Sequence, residues 1–201
     1  MREYWNHNVA YHPHVLRAVP ERCETALDVG CGDGLLAAKL STRAERVTGL
    51  DTSAEMIDLA RRRGGDLTFV EGDFLTSDLP AAHYDVITCV AAIHHMDFGR
   101  AVARAAELLR PGGRLVVLGV ARDADPADYA WAAVAVPVNK LLRRVMRERD
   151  PGAPVTPPEM TWAEVRARAA ELLPGSRFRR HLLWRYSLVW SKPLPTPGRA
   201  A

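Results

Sequence analysis

The chain has 201 residues, of which 48% are hydrophobic and 25% are charged, and its formal net charge is +3. This balance is typical of one ordinary soluble globular domain, long enough to bury a substantial core. The net charge is too small to indicate nucleic-acid binding by itself. The three cysteines form no CxxC pair, so the sequence offers no disulfide framework and favours a reducing compartment.

The first residues, "MREYWNHNVAYHPH", are polar and aromatic and do not resemble a secretory signal. The longest apolar stretch, Tyr129–Val138, is interrupted by a proline and is too short to span a bilayer. We therefore expect a cytoplasmic protein with no membrane span.

Apolar runs rich in β-branched residues predict β-strands, and helical patterns lie between them. The predicted strands are residues 25–29, 46–51, 67–73, 84–90 and 113–120, and the predicted helices are residues 35–43, 53–63 and 99–110. This alternation is typical of right-handed βαβ units in a mostly parallel sheet. The nearly continuous apolar character of the strands fits burial on both faces of the sheet.

The pattern changes after Val120, and no further strand is evident before residue 177. Residues 161–173 predict a helix with Thr161 as N-cap and Glu164 completing a capping box. The last regular segment, residues 177–193, predicts two antiparallel strands, and we expect the proline-rich tail, residues 194–201, to be disordered.

A basic segment, residues 139–149, could form a helix that binds a membrane surface or a nucleic acid. We favour a helix that packs its apolar stripe on the domain and exposes its arginines. That stripe consists of Leu141, Leu142, Val145 and Met146.

The stretch "LDVGCGDG" places three glycines at alternate positions between the first predicted strand and the first predicted helix. Glycine permits a tight turn there and a close approach of a ligand to backbone N–H groups. The spacing of Gly30, Gly32 and Gly34 differs from the G-x-G-x-x-G turn that binds a dinucleotide pyrophosphate. Asp28, two residues before the first glycine, would repel a pyrophosphate and suits a cationic amine.

Two further acids follow neighbouring strands. Asp51 ends the second predicted strand, where an acid accepts hydrogen bonds from a ribose, and Asp73 ends the third, within reach of an adenine amino group. Acidic residues around a glycine turn indicate a pocket for an adenosine derivative that carries a positive charge. S-adenosylmethionine is such a molecule.

The ordered motifs "ALDVGCGDG", "VTGLD", "EGDFL", "YDVITCVAAIHHM" and "LLRPGGRLVVLG" resemble those of the class I S-adenosylmethionine-dependent methyltransferases over residues 24–120. The chain is most similar to small bacterial methyltransferases with an "LHH"-type end to the fourth strand. It lacks the "NPPY" motif of enzymes that methylate adenine or glutamine nitrogen.

The resemblance implies an α/β fold, a doubly wound, mostly parallel seven-stranded sheet with an antiparallel last strand. It implies that Asp28 orients the methionine amino group through water, and that Asp51 binds both ribose hydroxyls. It also implies that Asp73 binds adenine N6 and that Phe74 and Met56 flank the adenine. The expected cofactor-binding residues are Asp28, Gly30, Cys31, Gly32, Gly34, Asp51, Thr52, Met56, Asp73, Phe74, Cys89, Val90 and Tyr11.

The expected arrangement is one methyltransferase domain over residues 1–193. Its parts are an N-terminal cap (1–23), a cofactor-binding core (24–120), an acceptor-side insertion or lid (121–176) and a terminal hairpin (177–193).

Histidines are the candidate general bases, because an oxygen or nitrogen acceptor must lose a proton when it is methylated. His94 and His95 follow the fourth strand, and His12 lies in the N-terminal cap. His7, His12 and His14 are suitable metal ligands, but no cysteine or acid is spaced to complete a site, so no metal is expected.

The acceptor pocket is expected between the N-terminal cap and the insertion, with Tyr4, Tyr11 and His12 facing the ligand. Tyr129, Trp131, Val134 and Trp162 are available to line the pocket. An aromatic, largely apolar pocket suits a small organic acceptor, and no nucleic-acid partner is expected for this monomer or homodimer.

Two alternatives to a small-molecule methyltransferase remain open from the sequence. One is a non-catalytic S-adenosylmethionine-binding protein. The other, a nucleotide-dependent oxidoreductase, is disfavoured by the glycine spacing and by Asp28.

Overall fold

A computed structural model describes residues 4–146, 152 and 156–195. The α-helices are α1 (His7–Ala10), α2 (His12–Ala18), α3 (Leu35–Leu40), α4 (Ala54–Arg61), α5 (Phe98–Leu108), α6 (Pro126–Val145) and α7 (Trp162–Leu172). The strands are β1 (Cys23–Val29), β2 (Ala44–Asp51), β3 (Thr68–Glu71), β4 (Tyr84–Val90), β5 (Leu109–Gly119), β6 (Arg177–His181) and β7 (Arg185–Ser191). Most of the expected disordered tail lies outside the described residues.

These strands form one seven-stranded sheet in the order β3-β2-β1-β4-β5-β7-β6. The first five strands of this order are parallel, and β7 runs antiparallel to both β5 and β6. The predicted doubly wound sheet with an antiparallel last strand is therefore confirmed. The order reverses at β1 and β4, so the carboxyl ends of these two strands flank the crevice where open α/β sheets bind ligands.

Both faces of the sheet are covered, which explains why its central strands are apolar at successive positions. Leu27 and Ile87 belong to the core that includes α5 and α7. Their chain neighbours Ala26 and Val86 belong to the core that includes α3 and α4. Side chains alternate across a strand, so a sheet buried on both faces needs apolar residues at odd and even positions alike.

The boundary between α5 and β5 differs from the prediction. Residues 109–112, which the prediction placed at the end of the helix and in the gap before the strand, lie inside β5, and α5 ends at Leu108. The register of β4 against β5 jumps from the pair Tyr84–Leu109 to the pair Val86–Arg114. The extra residues of β5 form an irregularity in its pairing with β4. A pattern based on local propensity predicts a break between two elements at such a position.

Three of the four residues in the apolar stripe of the basic segment are exposed and Leu142 is half-buried, so the stripe is not packed on the domain as we predicted. Leu141 is 63% exposed, Val145 is 71% exposed and Met146 is 42% exposed. The helix α6 is held mainly at its other end, where Arg180 donates to Asp128, and Ala135 is its buried apolar contact. The residues 147–149 of this segment lie outside the described part of the chain.

The predicted capping box of α7 is present. Thr161 accepts from the backbone N–H of Glu164, and the Glu164 side chain accepts from the backbone N–H of Thr161. Among the helices of the described residues, none is long and apolar enough to cross a membrane.

Candidate active site

A cavity of about 900 Å³ opens at the carboxyl ends of the parallel strands. Its walls come from the turn after β1, the ends of β2 and β4, the N-terminal segment, and the hairpin between β6 and β7. The cofactor-site candidates that line it are Asp28, Gly30, Cys31, Gly32, Asp51, Thr52, Met56, Asp73, Phe74 and Val90. The fold thus brings together residues that are up to 62 positions apart in the chain.

The glycines after β1 adopt backbone conformations that other residues rarely take. Gly30, Gly32 and Gly34 have φ angles of 67°, 53° and 76°. A Cβ on Gly30 would lie 2.3 Å from the Cβ of Ala92, in the loop after β4. Glycine is therefore required at position 30 for two reasons: the turn is left-handed there, and the loop after β4 approaches closely.

Asp28 is a buried carboxylate with one unpaired oxygen. It is 1% exposed, and its Oδ1 accepts a hydrogen bond of 2.7 Å from the Thr88 hydroxyl. Its Oδ2 has no hydrogen-bond partner among the described residues. Burial, with a smaller contribution from the nearby Asp51 charge, raises the pKa of Asp28 to about 7. A cationic group in the cavity would satisfy this carboxylate.

Asp51 and Asp73 present further carboxylates to the same cavity. Asp51 accepts from the backbone N–H groups of Gly32 at 2.8 Å and Ser53 at 2.9 Å, which fixes its orientation beside the glycine turn. Asp73 accepts from the backbone N–H of Leu75 at 2.7 Å. Each carboxylate oxygen has a second lone pair, so both acids can still accept from hydroxyl or amino donors.

Comparison with known proteins agrees with this geometry. The model of a family described as a methyltransferase domain matches residues 27–117. An uncharacterized methyltransferase of Mycobacterium tuberculosis is 33% identical over 96% of this chain and 100% of its own length. The chain belongs to the class I S-adenosylmethionine-dependent methyltransferases.

Two further proteins extend this comparison. A ubiquinone biosynthesis O-methyltransferase of Serratia proteamaculans is 33% identical over 61% of this methyltransferase and 52% of its own length. A solved structure, the DhpI–SAH complex, has a TM-score of 0.65 at 21% identity and covers 93% of this chain and 84% of its own. At 21% identity, the likeness to the DhpI–SAH complex shows a shared fold.

The histidine candidates of this methyltransferase also line the cavity. His12, His94 and His95 are all part of its wall, and the rings of His94 and His95 lie 4.1 Å apart between centroids. His94 Nδ1 is buried without a hydrogen-bond partner among the described residues. Burial, then the charges of His95 and Arg185, lowers the pKa of His94 to about 4. His94 is therefore neutral at physiological pH.

Three expected cofactor-site residues lie outside the cavity wall. The Tyr11 hydroxyl donates to the Leu182 carbonyl at 2.6 Å, which holds it away from the cavity where the ligand was expected. Gly34 is the N-cap of α3 and lies against Phe69. Cys89 is buried in the core, and burial raises its thiol pKa to about 12, which leaves it unreactive.

The aromatic residues expected to line the acceptor pocket also lie elsewhere. Tyr129, Trp131 and Val134 are 60%, 42% and 56% exposed, because α6 presents them to the surface. Trp162 is buried in the core beneath the Arg180 guanidinium, 4.2 Å from its ring centroid. The sequence could not give the direction in which each helix face points.

Several cavity residues escaped the sequence analysis. Asp33 pairs with Arg63 and accepts from the Tyr4 hydroxyl at 3.0 Å, which ties the N-terminal segment to the glycine turn. Ala91, immediately after β4, has a φ of 51°, a rare backbone conformation for a residue other than glycine. No sequence signal marks that strain.

Six further residues line the cavity although the sequence analysis did not name them as site residues: Asn8, Thr156, Pro157, Pro158, Trp184 and Arg185. In the described part of the chain, no group of histidine, cysteine and acidic residues is arranged to hold a metal ion.

Proposed function

We propose that this methyltransferase binds S-adenosylmethionine in the acidic part of the cavity and transfers its methyl group to a small-molecule acceptor. The observation that carries the cofactor assignment is the unpaired, buried Oδ2 of Asp28 at the glycine turn. A carboxylate held in that position needs a cationic partner, and the methionine ammonium group is one.

The other residues of this part of the cavity fit the rest of the cofactor. Asp51 would accept from the ribose hydroxyls and Asp73 from the adenine amino group. Met56, which is 2% exposed, and Phe74, which is 5% exposed, give the cavity apolar surface suited to the adenine ring. The backbone of Gly30 and Gly32 would approach the methionine group with no side chain between them.

When bound, the cofactor supplies an electrophilic methyl group. The protein's own contribution is to hold the acceptor in line with that methyl group, since correct orientation supplies most of the acceleration of such a step. For an acceptor that bears a proton on oxygen or nitrogen, the neutral imidazole of His94 takes up that proton. The N-terminal segment covers the cavity and excludes water, which protects a reactive sulfonium.

Two features of the cavity support a small-molecule acceptor. The N-terminal segment forms part of the wall through Asn6, Asn8 and Val9, and the proline pair Pro157–Pro158 forms another part. These elements enclose the space beyond the acids, and a cavity of this volume suits a small ligand. The Serratia relative is named for a reaction in ubiquinone biosynthesis, which also involves a small molecule.

Calorimetry with S-adenosylmethionine and its demethylated product tests the cofactor assignment. We expect both to bind and Asp28→Ala to weaken binding by at least tenfold, whereas binding of NAD(P) alone would contradict the assignment. A turnover screen of phenols, amines and acids, with release of S-adenosylhomocysteine as the readout, tests the acceptor class. Turnover on a protein or an RNA but on no small molecule would reject it.

A further inference from the structure

Among the described residues that line the cavity, Arg185 is the one arginine or lysine, and it has no acidic partner there. Its Nε and Nη2 donate to Asn8 Oδ1 at 3.1 and 2.8 Å, and its Nη1 donates to the carbonyls of Leu183 and Trp184. Among the described residues, no carboxylate lies within ion-pair distance of its guanidinium. All the acceptors of Arg185 are neutral. Its N–H donors are therefore largely satisfied, but its positive charge has no counterion among the described residues.

Arg43 and Arg114 are also half-buried and donate to neutral acceptors, but neither lines the cavity, and two other half-buried arginines have acidic partners. Arg63 pairs with Asp33, and Arg180 pairs with Asp123 and Asp128. Burial lowers the pKa of Arg185 to about 10, so the group stays a cation at neutral pH although it has lost part of its hydration. A desolvated charge without a counterion is costly, and a bound anion would remove that cost.

The hairpin that carries Arg185 holds it in place with strained backbone. Leu183 and Trp184 have φ angles of 58° and 56°, although neither is glycine. Left-handed conformations are unfavourable for residues that carry side chains of this kind. Such strain collects at functional sites, where it directs a side chain that the fold would otherwise place differently.

The position of Arg185 in the sheet separates it from the acids of the cofactor site. It begins β7, whose next residue, Tyr186, pairs with Gly119 at the carboxyl end of β5. In the sheet order, β4 and β5 lie between β1 and β7, which places the strand of Asp28 about 14 Å from that of Arg185. Arg185 is instead close enough to His94 for its charge to lower the pKa of that imidazole.

We infer that the acceptor carries a carboxylate, which pairs with Arg185 while Asn8 holds the guanidinium in position beside His94. This inference rests on the proposed function, since it assigns the acidic part of the cavity to the cofactor. Nε and one N–H of Nη2 are already bonded to Asn8, so the carboxylate would accept from the second N–H of Nη2, and this charge-assisted hydrogen bond gives the ion pair a direction. Arg185 and Asn8 would therefore select acidic over neutral acceptors of the same shape.

The test is thermal stabilisation of the complex with S-adenosylhomocysteine by acetate, benzoate, phenylacetate and hexanoate, each compared with its amide. We expect at least one carboxylate to raise the Tm, to bind at least tenfold more tightly than its amide, and to lose about 10- to 100-fold in affinity in Arg185→Gln. Arg185→Lys should retain part of the preference for acids over amides, because the positive charge remains, whereas the fixed N–H directions of the guanidinium are lost. Arg179→Gln, which removes an exposed arginine of β6, should bind as the wild type does.

Three results would overturn the inference. The first is equal binding of acids and amides by the wild type, which needs no variant to fold. The second is stabilisation by inorganic phosphate but by no carboxylate. The third is a loss of S-adenosylhomocysteine affinity in Arg185→Gln, which would assign the guanidinium to the methionine carboxylate. Failure of the wild type to bind S-adenosylhomocysteine would refute the proposed function instead, so the two failures are distinct.

Discussion

The Thr88 hydroxyl donates to Asp28 Oδ1 across 2.7 Å between the adjacent strands β4 and β1, and it leaves the second oxygen of that carboxylate unpaired. A carboxylate buried in this way is unfavourable in the ligand-free protein and favourable once a cation is bound. Stability and ligand binding therefore make opposite demands on Asp28.

Replacing Asp28 by Asn should stabilise the ligand-free protein at high pH. The pKa of Asp28 rises on folding from 3.8 to about 7, so the folded state holds the extra proton and stability falls as pH rises through this window. In Asp28→Asn this loss is absent, and the free energy of unfolding at pH 8 should increase by on the order of 1–4 kcal/mol. Urea unfolding at pH 5 and pH 8 measures the difference, with Asp66→Asn as the exposed control.

The same Asp28→Asn protein should bind S-adenosylmethionine more weakly, and wild-type affinity should decrease as the pH falls below 7 because the carboxylate becomes protonated. Calorimetry at several pH values checks both effects. An identical pH dependence of unfolding and of binding in Asp28→Asn and wild type would show that the carboxylate does not titrate in this window.

Removing the Asp51 carboxylate should weaken cofactor binding by about 2–4 kcal/mol, because buried ribose hydroxyls would lose their acceptor. Asp51→Asn should be milder, since one acceptor oxygen remains. The Gly32 N–H, which donates to Asp51, also loses its partner in Asp51→Ala. Calorimetry of folded variants gives the values, and wild-type affinity in Asp51→Ala would refute this placement.

Gly30→Ala and Gly64→Ala form a matched pair. Both glycines have positive φ angles, 67° and 73°, so alanine is strained by about 1–2 kcal/mol at either position. A Cβ on Gly30 also meets Ala92, whereas a Cβ on Gly64 meets nothing within 4 Å. We expect Gly30→Ala to cost about 1–3 kcal/mol more stability and to impair cofactor binding. Equal unfolding free energies for the two variants would show that the turn after β1 and the loop after β4 move apart easily to admit the extra methyl group.

If His94 is the general base, His94→Ala should lower kcat by roughly 10²–10⁴ and leave S-adenosylhomocysteine affinity nearly unchanged. Because the pKa of His94 is about 4, the base is in its active neutral form above pH 5 and activity should decline only below that value. The pH profile of kcat/KM checks this. His95→Ala is the comparison variant, and a larger loss there would move the role to the neighbouring ring.

The N-terminal segment should exchange its amide hydrogens faster without ligand than the strands do, and binding should slow that exchange. No residue of α1, which belongs to this segment, is buried, so local opening there exposes little apolar surface. Hydrogen exchange measured with and without S-adenosylhomocysteine gives the comparison. Equally slow exchange in residues 6–11 and in β1 before ligand is added would argue against a lid.

Local patterns were sufficient wherever one segment determines its own conformation. The apolar runs predicted the core strands, and the pair Thr161 and Glu164 predicted the start of α7, because a capping box is closed within one helical turn. The acids Asp28, Asp51 and Asp73 could be assigned to one site for a related reason. Carboxyl ends of parallel strands share an edge of the sheet, so topology brings these residues together.

The tertiary structure alone decided which side chains complete the cavity. Arg185 and Asn8 are 177 positions apart and meet because β7 inserts antiparallel beside β5, while Tyr11 turns away to the Leu182 carbonyl. The directions of α6 and of the β6–β7 hairpin depend on such distant contacts and on strained backbone at Leu183 and Trp184. The sequence by itself determined the fold and the acidic half of the site, because these follow from short-range pattern and strand order. The acceptor half depends on long-range packing, which no local pattern encodes.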